Sequence, residues 1–511
     1  MKNFMDLLKK ENNFTTTENG AVAVKSTLND VVDFFGTVGS LRASGLEKEK
    51  DIYESFLLAY EEDKELAIKS LFYARDCRGG MGEKAVFKNI ACRLLKDKLH
   101  ADIVLNNLEN IVEFGSWKDI IDILVMESNN EKDKMNSNSL SKISKFIYNQ
   151  LEKDLQSETP SLLAKWLPTI NSSSEETKRK ARIVLSNLNL HTNFKSKNYR
   201  KICRLLRDKI DIVETHIAKC EFDKIDYASI ASKCMLLNRD TFMRKDEDRF
   251  YNYLEKVKQG KSEIKSSVLF PSDITKEYLK NSFDVREAIE DYTLELQWKA
   301  LPNYMDKPLN AIPLIDTSGS MYGTPMNVST ALGIYISERN PSPIFKDKVL
   351  EFGSDVHFYD MSKKTSLRDK IAGYNQDCGS TNLEKCFQVI LDTAVSNNLS
   401  QSELPTHLII ISDMQFNDLE IKVKGEKGKM TLLDSLQERF LEKGYILPKI
   451  VFWNVNARHK SFPCEAKDGI VYASGYSPSI LKAVLNVENF TPLNMIKQTV
   501  LIDRYQNVWV G

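Results

Sequence analysis

The chain has 511 residues, 42% of them hydrophobic and 28% charged, and its 71 Lys and Arg balance 71 Asp and Glu. That length exceeds one ordinary core, so two or more domains are expected. A formal charge of zero excludes a globally basic nucleic-acid binder. Residues 301–511 hold 22 basic against 23 acidic side chains, so any nucleic-acid surface must be a local patch.

The opening "MKNFMDLLKKENNF" contains no uninterrupted apolar segment and no small-residue cleavage site, so no signal peptide is expected. No run of about 18 apolar residues offers a membrane span. Eight cysteines (Cys77, Cys92, Cys203, Cys220, Cys234, Cys378, Cys386, Cys464) are scattered without a C-x-x-C pair. They read as free thiols in a reducing, cytoplasmic setting.

After an N-terminal segment of residues 1–30, the apolar spacing from about Val31 to Trp298 is helical and defines a domain over 31–300. "DIYESFLLAYEEDKELAIKSLFYARD" places Leu57, Leu66, Ile68, Leu71 and Phe72 on recurring faces. "CRGGMGEKAVFKNIACRLLKD" breaks at Gly79, Gly80 and Gly82 and resumes a helix near Glu83. The same logic recurs at "IVEFGSWKDIIDILV", where Gly115 separates two apolar stretches. Successive helix pairs of this kind suit an irregular helical solenoid. Asp76 is placed to cap the following helix, Arg75 and Arg78 to pair with neighbouring repeats, and Trp117 to pack between helices. "SNNEKDKMNSNSLS" and "NSSSEET" read as exposed polar loops.

Residues 171–210 carry 11 basic against 3 acidic side chains: Lys178, Arg179, Lys180, Arg182, Lys195, Lys197, Arg200, Lys201, Arg204, Arg207 and Lys209. Within "KNYRKICRLLRDKI", a turn of about 100° per residue puts Lys197, Arg200, Lys201, Arg204 and Arg207 on one face and Ile202, Leu205 and Leu206 on the other. Phosphates would meet a row of cations there, with His191, Phe194 and Tyr199 flanking it as stacking candidates. The plainer alternative is a soluble surface helix whose lysines pair with acids elsewhere.

Beyond about Pro302 the period changes and a domain over 301–511 begins. Short apolar runs ("AIPLI", "KVLEF", "HLIIIS", "KIVFWNV", "GIVYAS") alternate with helices expected near Met326–Glu338, Leu383–Val395, Met430–Lys443 and Ser479–Leu485. This pattern argues a parallel, doubly wound sheet covered on both faces. The whole chain is therefore multidomain, α then α/β. Ligands of such sheets lie beyond the carboxyl ends of the strands, at the topological switch point.

Oxygen-bearing side chains gather at those ends. "IPLIDTSGSMYG" supplies Asp316, Ser318 and Ser320, "DCGSTNLEKCF" supplies Thr381, and "THLIIISDMQF" supplies Asp413 after Ser412. Two carboxylates and three hydroxyls suit a hard divalent cation, Mg²⁺ first, with Mn²⁺ or Ca²⁺ as alternatives. The competing assignment is ordinary turn and helix-capping duty, Thr381 included. His357 and His407 read as sheet-edge or packing residues, and no general base lies in the loops.

D-T-S-G-S, then the Thr of G-S-T, then the Asp of I-S-D, resembles the metal-ion-dependent adhesion site of von Willebrand factor A domains. All five ligand types stand in the expected order, although S-D-M-Q replaces the common T-D-G. The resemblance implies recognition rather than turnover, with the open metal position taking a partner's carboxylate. "YARDCRGGMGEKAVF" and "FGSWKDI" resemble helix-turn-helix motifs of Ro-type (TROVE-like) RNA-binding proteins. That family joins a ring of HEAT-like helical repeats to an A domain, and a less characterised branch of it matches "EFDKIDYASIASKCMLLNRDTFMRKDEDRFYNYLEKVKQGKSEIKSSVLFPSDI" and "VYASGYSPSILKAVL".

"GGMGEK" lacks G-x-x-x-x-G-K-[ST] and follows a helix, so no nucleotide cofactor is expected. No H-E-x-x-H, nucleophile elbow or spaced Cys/His cluster exists, and "KVKGEKGKM" reads as a solvated loop. The expected function is a non-catalytic RNA-binding scaffold with a divalent-cation adhesion site. The alternative is a protein-interaction adaptor whose cation captures an acidic protein ligand.

Overall fold

The computed structural model describes residues 12–43, 49–127, 137–191, 196–280, 288–305, 307, 309–374, 379–418, 431–457, 461–486 and 489–511. They form two compact units, one of Met1–Ser70 with Ser266–Ile502 and the other of Leu71–Lys265 with Asp503–Gly511. This division departs from the change of hydrophobic period near residue 300.

The first unit is built on a mixed six-stranded sheet. Its strands are β3 (Ala311–Asp316), β4 (Lys348–Phe352), β5 (Val356–Asp360), β6 (His407–Ser412), β7 (Lys449–Asn454) and β8 (Ile470–Ser474), in the order β5-β4-β3-β6-β7-β8. All neighbours are parallel except β4 and β5, which form an antiparallel edge pair. The apolar runs in the sequence mark five of these strands. β5 was not among them, because an edge strand with one wet face carries half-exposed residues and no continuous apolar run.

The chain leaves β3 to one side for β4 and returns on the other for β6, so the switch point lies between β3 and β6. Register pairs Ile315 with Ile411 and sets Asp316 beside Ser412. Successive residues of β3 face opposite ways. Ile315 meets the helix Thr324–Arg339, where a Cβ on Gly333 would stand 2.1 Å from the Ile315 Cδ1. That helix is buried almost all round, as its lack of a polar face requires. On its far side Asn327 bonds Thr275 and the Ser272 carbonyl of the helix Pro271–Lys280.

N-terminal residues belong to this unit. The helix Asp30–Val38, which the spacing assigns to the helical region, buries Val31, Phe34, Phe35 and Val38 and packs on β8. Ser474 ties it down by donating to the Phe35 carbonyl at 2.8 Å. Ahead of it, β1 (Phe14–Thr16) and β2 (Val22–Val24) form a separate hairpin.

His407 opens β6 with its ring against Phe490 at 5.2 Å, while His357 sits in edge strand β5 opposite Glu351. Burial, aided by Lys449, pushes the His407 pKa down to about 4. The unfolded imidazole titrates near 6.5, so between those values the unfolded chain binds the extra proton. Stability is therefore expected to fall as pH drops from about 6.5 to about 4, by at most about 3 kcal/mol. Melting curves across that window check this, and His407→Gln should flatten the dependence.

The second unit is helical. The turn after Lys64–Arg75 leads into Ala85–Lys96, and Gly115 separates Leu108–Phe114 from Trp117–Glu127, as the sequence predicts. Arg75 pairs with Asp119 across the two turns, Nη2 to Oδ2 at 2.5 Å, with both side chains buried. A Cβ on Gly115 would stand 2.3 Å from Asp119 Oδ2 and 2.7 Å from Arg75 Nη2, so only glycine fits. Asp76 does not cap the following helix. Its carboxylate takes the Arg78 amide at 2.9 Å, the Tyr505 hydroxyl at 2.9 Å and the Arg504 guanidinium, fastening the C-terminal residues to this turn. Trp117 is buried and stacks on Phe146 at 5.2 Å, between helices as expected. No helix among the described residues is long and apolar enough to cross a membrane.

Candidate metal centre

Asp316 ends β3 and is fully buried. Its Oδ1 accepts the Ser318 amide at 2.9 Å, which bends the loop so that Ser318 and Ser320 return to the same side. Their hydroxyl oxygens stand 3.2 Å apart. Two ligands of an octahedral Mg²⁺, each at about 2.1 Å, are separated by about 3 Å. Asp413 follows β6 and accepts the Gln415 amide at 3.2 Å.

Hydrogen bonds join the loops. Ser412 donates to Asp316 Oδ2 at 2.5 Å, the Gly319 amide donates to the Gly379 carbonyl at 3.1 Å, and the Asn417 amide donates to the Thr381 carbonyl at 2.9 Å. Gly379 has no room for a side chain, since a Cβ would lie 1.9 Å from Ser354 Oγ on the β4–β5 turn. Thr381 is buried and does not cap its helix; Asn382 does, accepting the Lys385 amide. Capping therefore fails to account for the Thr381 hydroxyl.

Two buried carboxylates interact here. Burial and then the neighbouring Asp413 carboxylate push the Asp316 pKa up to about 7, against hydrogen bonds from Ser318 and Ser412. Two buried like charges repel unless something positive separates them. Among the described residues no group of three or more His, Cys, Asp and Glu side chains gathers. A cation here would depend on the hydroxyls, which is what hard ions accept. The residues present fit that chemistry.

Met414 occupies the position after Asp413 with a φ of 66°. That left-handed backbone favours glycine and costs a larger side chain about 1–2 kcal/mol. S-D-M-Q thus keeps the loop shape of a glycine-bearing sequence at some strain.

Three neighbours have roles that the sequence does not assign. Ser412 orients Asp316, Gln415 takes the Glu18 amide on its Oε1 at 2.9 Å, and Asn19 donates to the Thr381 hydroxyl at 3.3 Å. Asn19 could not be found from motif spacing, because it lies 362 positions away on the β1–β2 turn.

In the helical unit, the basic stretch sorts into bound and unbound cations. All three acids of residues 171–210 are engaged: Glu175 by Lys178 at 2.7 Å, Glu176 by Lys180 at 2.9 Å and Asp208 by Arg204 at 3.9 Å. Arg207 turns inward, giving Nε to the Ala164 carbonyl at 2.8 Å and Nη2 to the Leu167 carbonyl at 2.5 Å. Lys209 reaches the Ser157 carbonyl at 2.9 Å. Arg179 is exposed on its helix. Arg182, Lys197, Arg200 and Lys201 are exposed, with no side-chain partner among the described residues.

The helix Ser196–Ile210 buries Tyr199, Cys203 and Leu206, not the expected Ile202, Leu205 and Leu206. Tyr199 is a core residue whose hydroxyl donates to the Pro168 carbonyl at 2.9 Å, so it offers no stacking face. His191 is half-buried, bonded to Ser144 and packed against Tyr148. Phe194, Lys195 and the loop Lys422 to Met430 lie outside the described residues.

The chain is similar to "Uncharacterized protein L728" of Acanthamoeba polyphaga mimivirus, with 28% identity over 524 residues, covering 95% of this chain and 86% of that protein. Among solved structures, the crystal structure of the Deinococcus radiodurans RO (RSR) protein aligns over 92% of this chain and 99% of its own at 12% identity, with a TM-score of 0.35. Two family profiles match, each described as a domain of unknown function: DUF7788 over residues 310–503, and DUF2828 over 17–182 and 142–307. The DUF2828 matches together run from residue 17 to residue 307, more than half of the chain, and the chain therefore belongs to the DUF2828 family.

Proposed function

We propose that the chain is a non-catalytic binding protein with two recognition surfaces. On the sheet unit, Asp316, Ser318, Ser320, Thr381 and Asp413 hold one Mg²⁺, in the manner of the adhesion site of von Willebrand A domains, and its open position takes a carboxylate from a partner protein. The observation that carries this reading is the meeting of three loops, distant in sequence, around two buried carboxylates that repel each other. Tyr322, 80% exposed two residues past Ser320, adds an aromatic of the kind that anchors protein interfaces. An array of acidic peptides should be held by the immobilised chain in Mg²⁺ and released by chelator. Asp316→Ala should hold none, and capture that survives chelation would remove the cation from recognition.

The second surface is an RNA-binding face on the helical unit. What favours it is the placing of Lys197, Arg200 and Lys201 in the first turns of Ser196–Ile210, where no acid precedes them. A helix N-terminus is already positive, so Lys197 in the first turn costs about 0.3–1 kcal/mol until an anion arrives, and Arg200 and Lys201 extend the same row, unpaired among the described residues. Phosphates of single-stranded or structured RNA would supply it, with affinity that falls steeply with salt. Replacing the three by Glu is expected to weaken RNA binding at least tenfold and to lower the salt slope by about 2. Filter binding from low to high salt measures both, and an unchanged slope would remove this face from RNA contact.

A further inference from the structure

We propose that the N-terminal hairpin is a wall of the metal centre, and that Asn19 is a positioning residue for the Thr381 hydroxyl. This rests on the cation site proposed above.

A hairpin with three-residue strands has little stability of its own, so its order comes from what it touches. β2 is bonded to the segment after β7, with the Val24 amide to the Phe462 carbonyl at 2.9 Å and the Phe462 amide to the Val24 carbonyl at 2.8 Å. The turn between β1 and β2 lies on the Asp413 loop. There Thr17 Oγ1 donates to the Phe416 carbonyl at 2.6 Å, the Glu18 amide to Gln415 Oε1 at 2.9 Å and the Asp418 amide to the Asn19 carbonyl at 3.2 Å. Gly20 makes an antiparallel bridge with Asn417. The hairpin therefore runs along the loops that leave the carboxyl ends of β6 and β7, at the edge that carries the proposed cation site.

At the tip, one side-chain amide serves two loops. Asn19 Nδ2 donates to the Gln415 carbonyl at 2.6 Å and to Thr381 Oγ1 at 3.3 Å. Both protons are used, and each goes to a residue within two positions of Asp413 or to Thr381 itself. A hydroxyl accepts through two lone pairs. With one engaged by Asn19, the other has a fixed direction, and a metal ligand benefits from such a partner because a free hydroxyl rotor would otherwise be immobilised on binding. Asn417 completes the frame, accepting the Thr381 amide on Oδ1 at 3.2 Å. Anything that fixes Thr381 holds the tip, so cation binding and hairpin docking should stabilise each other.

The test uses the full-length chain and Mn²⁺ titrated by calorimetry, with cation-free melting curves to show that each variant folds. Asn19→Ala is expected to weaken Mn²⁺ about tenfold. Asn19→Asp keeps the size and adds negative charge near the cation but removes both donors. Positioning predicts weaker binding for it too, whereas plain electrostatic attraction predicts tighter binding. In the wild type, saturating Mn²⁺ should slow hydrogen exchange at the Glu18 and Asp418 amides about tenfold, and should leave them unchanged in Asn19→Ala. A wild-type chain that takes no Mn²⁺ overturns both the cation site and this proposal. A wild type that binds, beside an Asn19→Ala or Asn19→Asp variant that binds as tightly, overturns this proposal alone.

Discussion

Asp119→Ala is expected to cost the helical unit about 3–5 kcal/mol, the range for removing one partner of a buried ion pair. Arg75 is 1% exposed, and its Nε and Nη2 both bond Asp119 Oδ2. The same oxygen accepts the Ser116 amide at 2.9 Å, so deleting the carboxylate strands a buried guanidinium and a half-buried amide together. Arg75→Met should be milder, because Asp119 retains the Ser116 amide. The double replacement Arg75→Met with Asp119→Leu should recover most of the loss, since a pair of packed apolar side chains no longer carries an uncompensated charge. Urea unfolding followed by far-ultraviolet circular dichroism measures all three. A double variant as unstable as Asp119→Ala would show that the cost lies in packing and not in the stranded charge.

Asp316→Asn should have two opposite effects. In cation-free buffer it removes one of two buried like charges while keeping an acceptor for the Ser318 amide and a partner for the Ser412 hydroxyl. The melting temperature is expected to hold or rise, by the equivalent of about 1–3 kcal/mol. With saturating Mg²⁺ the order reverses: the wild type gains about 3 kcal/mol at a hundredfold excess over its dissociation constant, and the variant gains nothing. Melting both proteins with and without Mg²⁺ gives the four values needed. A variant destabilised in the absence of cation would mean that Asp316 serves the fold through its charge.

Much of the sheet was legible because a strand buried on both faces must be apolar throughout, as "HLIIIS" is. β5 was not, because an edge strand mixes wet and dry positions in five residues. Thr381 stands just before the helix Leu383–Ser396 and beyond the helix Leu367–Ala372, whereas the positions of Asp316, Ser318, Ser320 and Asp413 could be read from order and spacing at strand ends. Ser412 and Asn19 could not, since their roles come from β-register and from a hairpin docked hundreds of residues away. In the helical unit the glycines of both turns were visible as breaks, and the structure adds why Gly115 is required: the Arg75–Asp119 pair fills the space of its Cβ. The basic stretch misled in part. Helical periodicity places Arg207 on the exposed face, but an inward guanidinium can satisfy the open carbonyls of Ala164 and Leu167. Tyr199 reads as a flanking aromatic and is instead the anchor of its helix, because rotation of the helix by about one residue exchanges Leu205 for Tyr199 in the core.

Electron paramagnetic resonance of Mn²⁺ added to the full-length chain is the most direct measurement of the cation site. The expectation is one bound Mn²⁺ per chain, displaced by Mg²⁺, and absent from Asp316→Ala and Asp413→Ala variants that still fold. Free Mn²⁺ at every protein concentration, or a bound ion that both variants retain, would contradict the site.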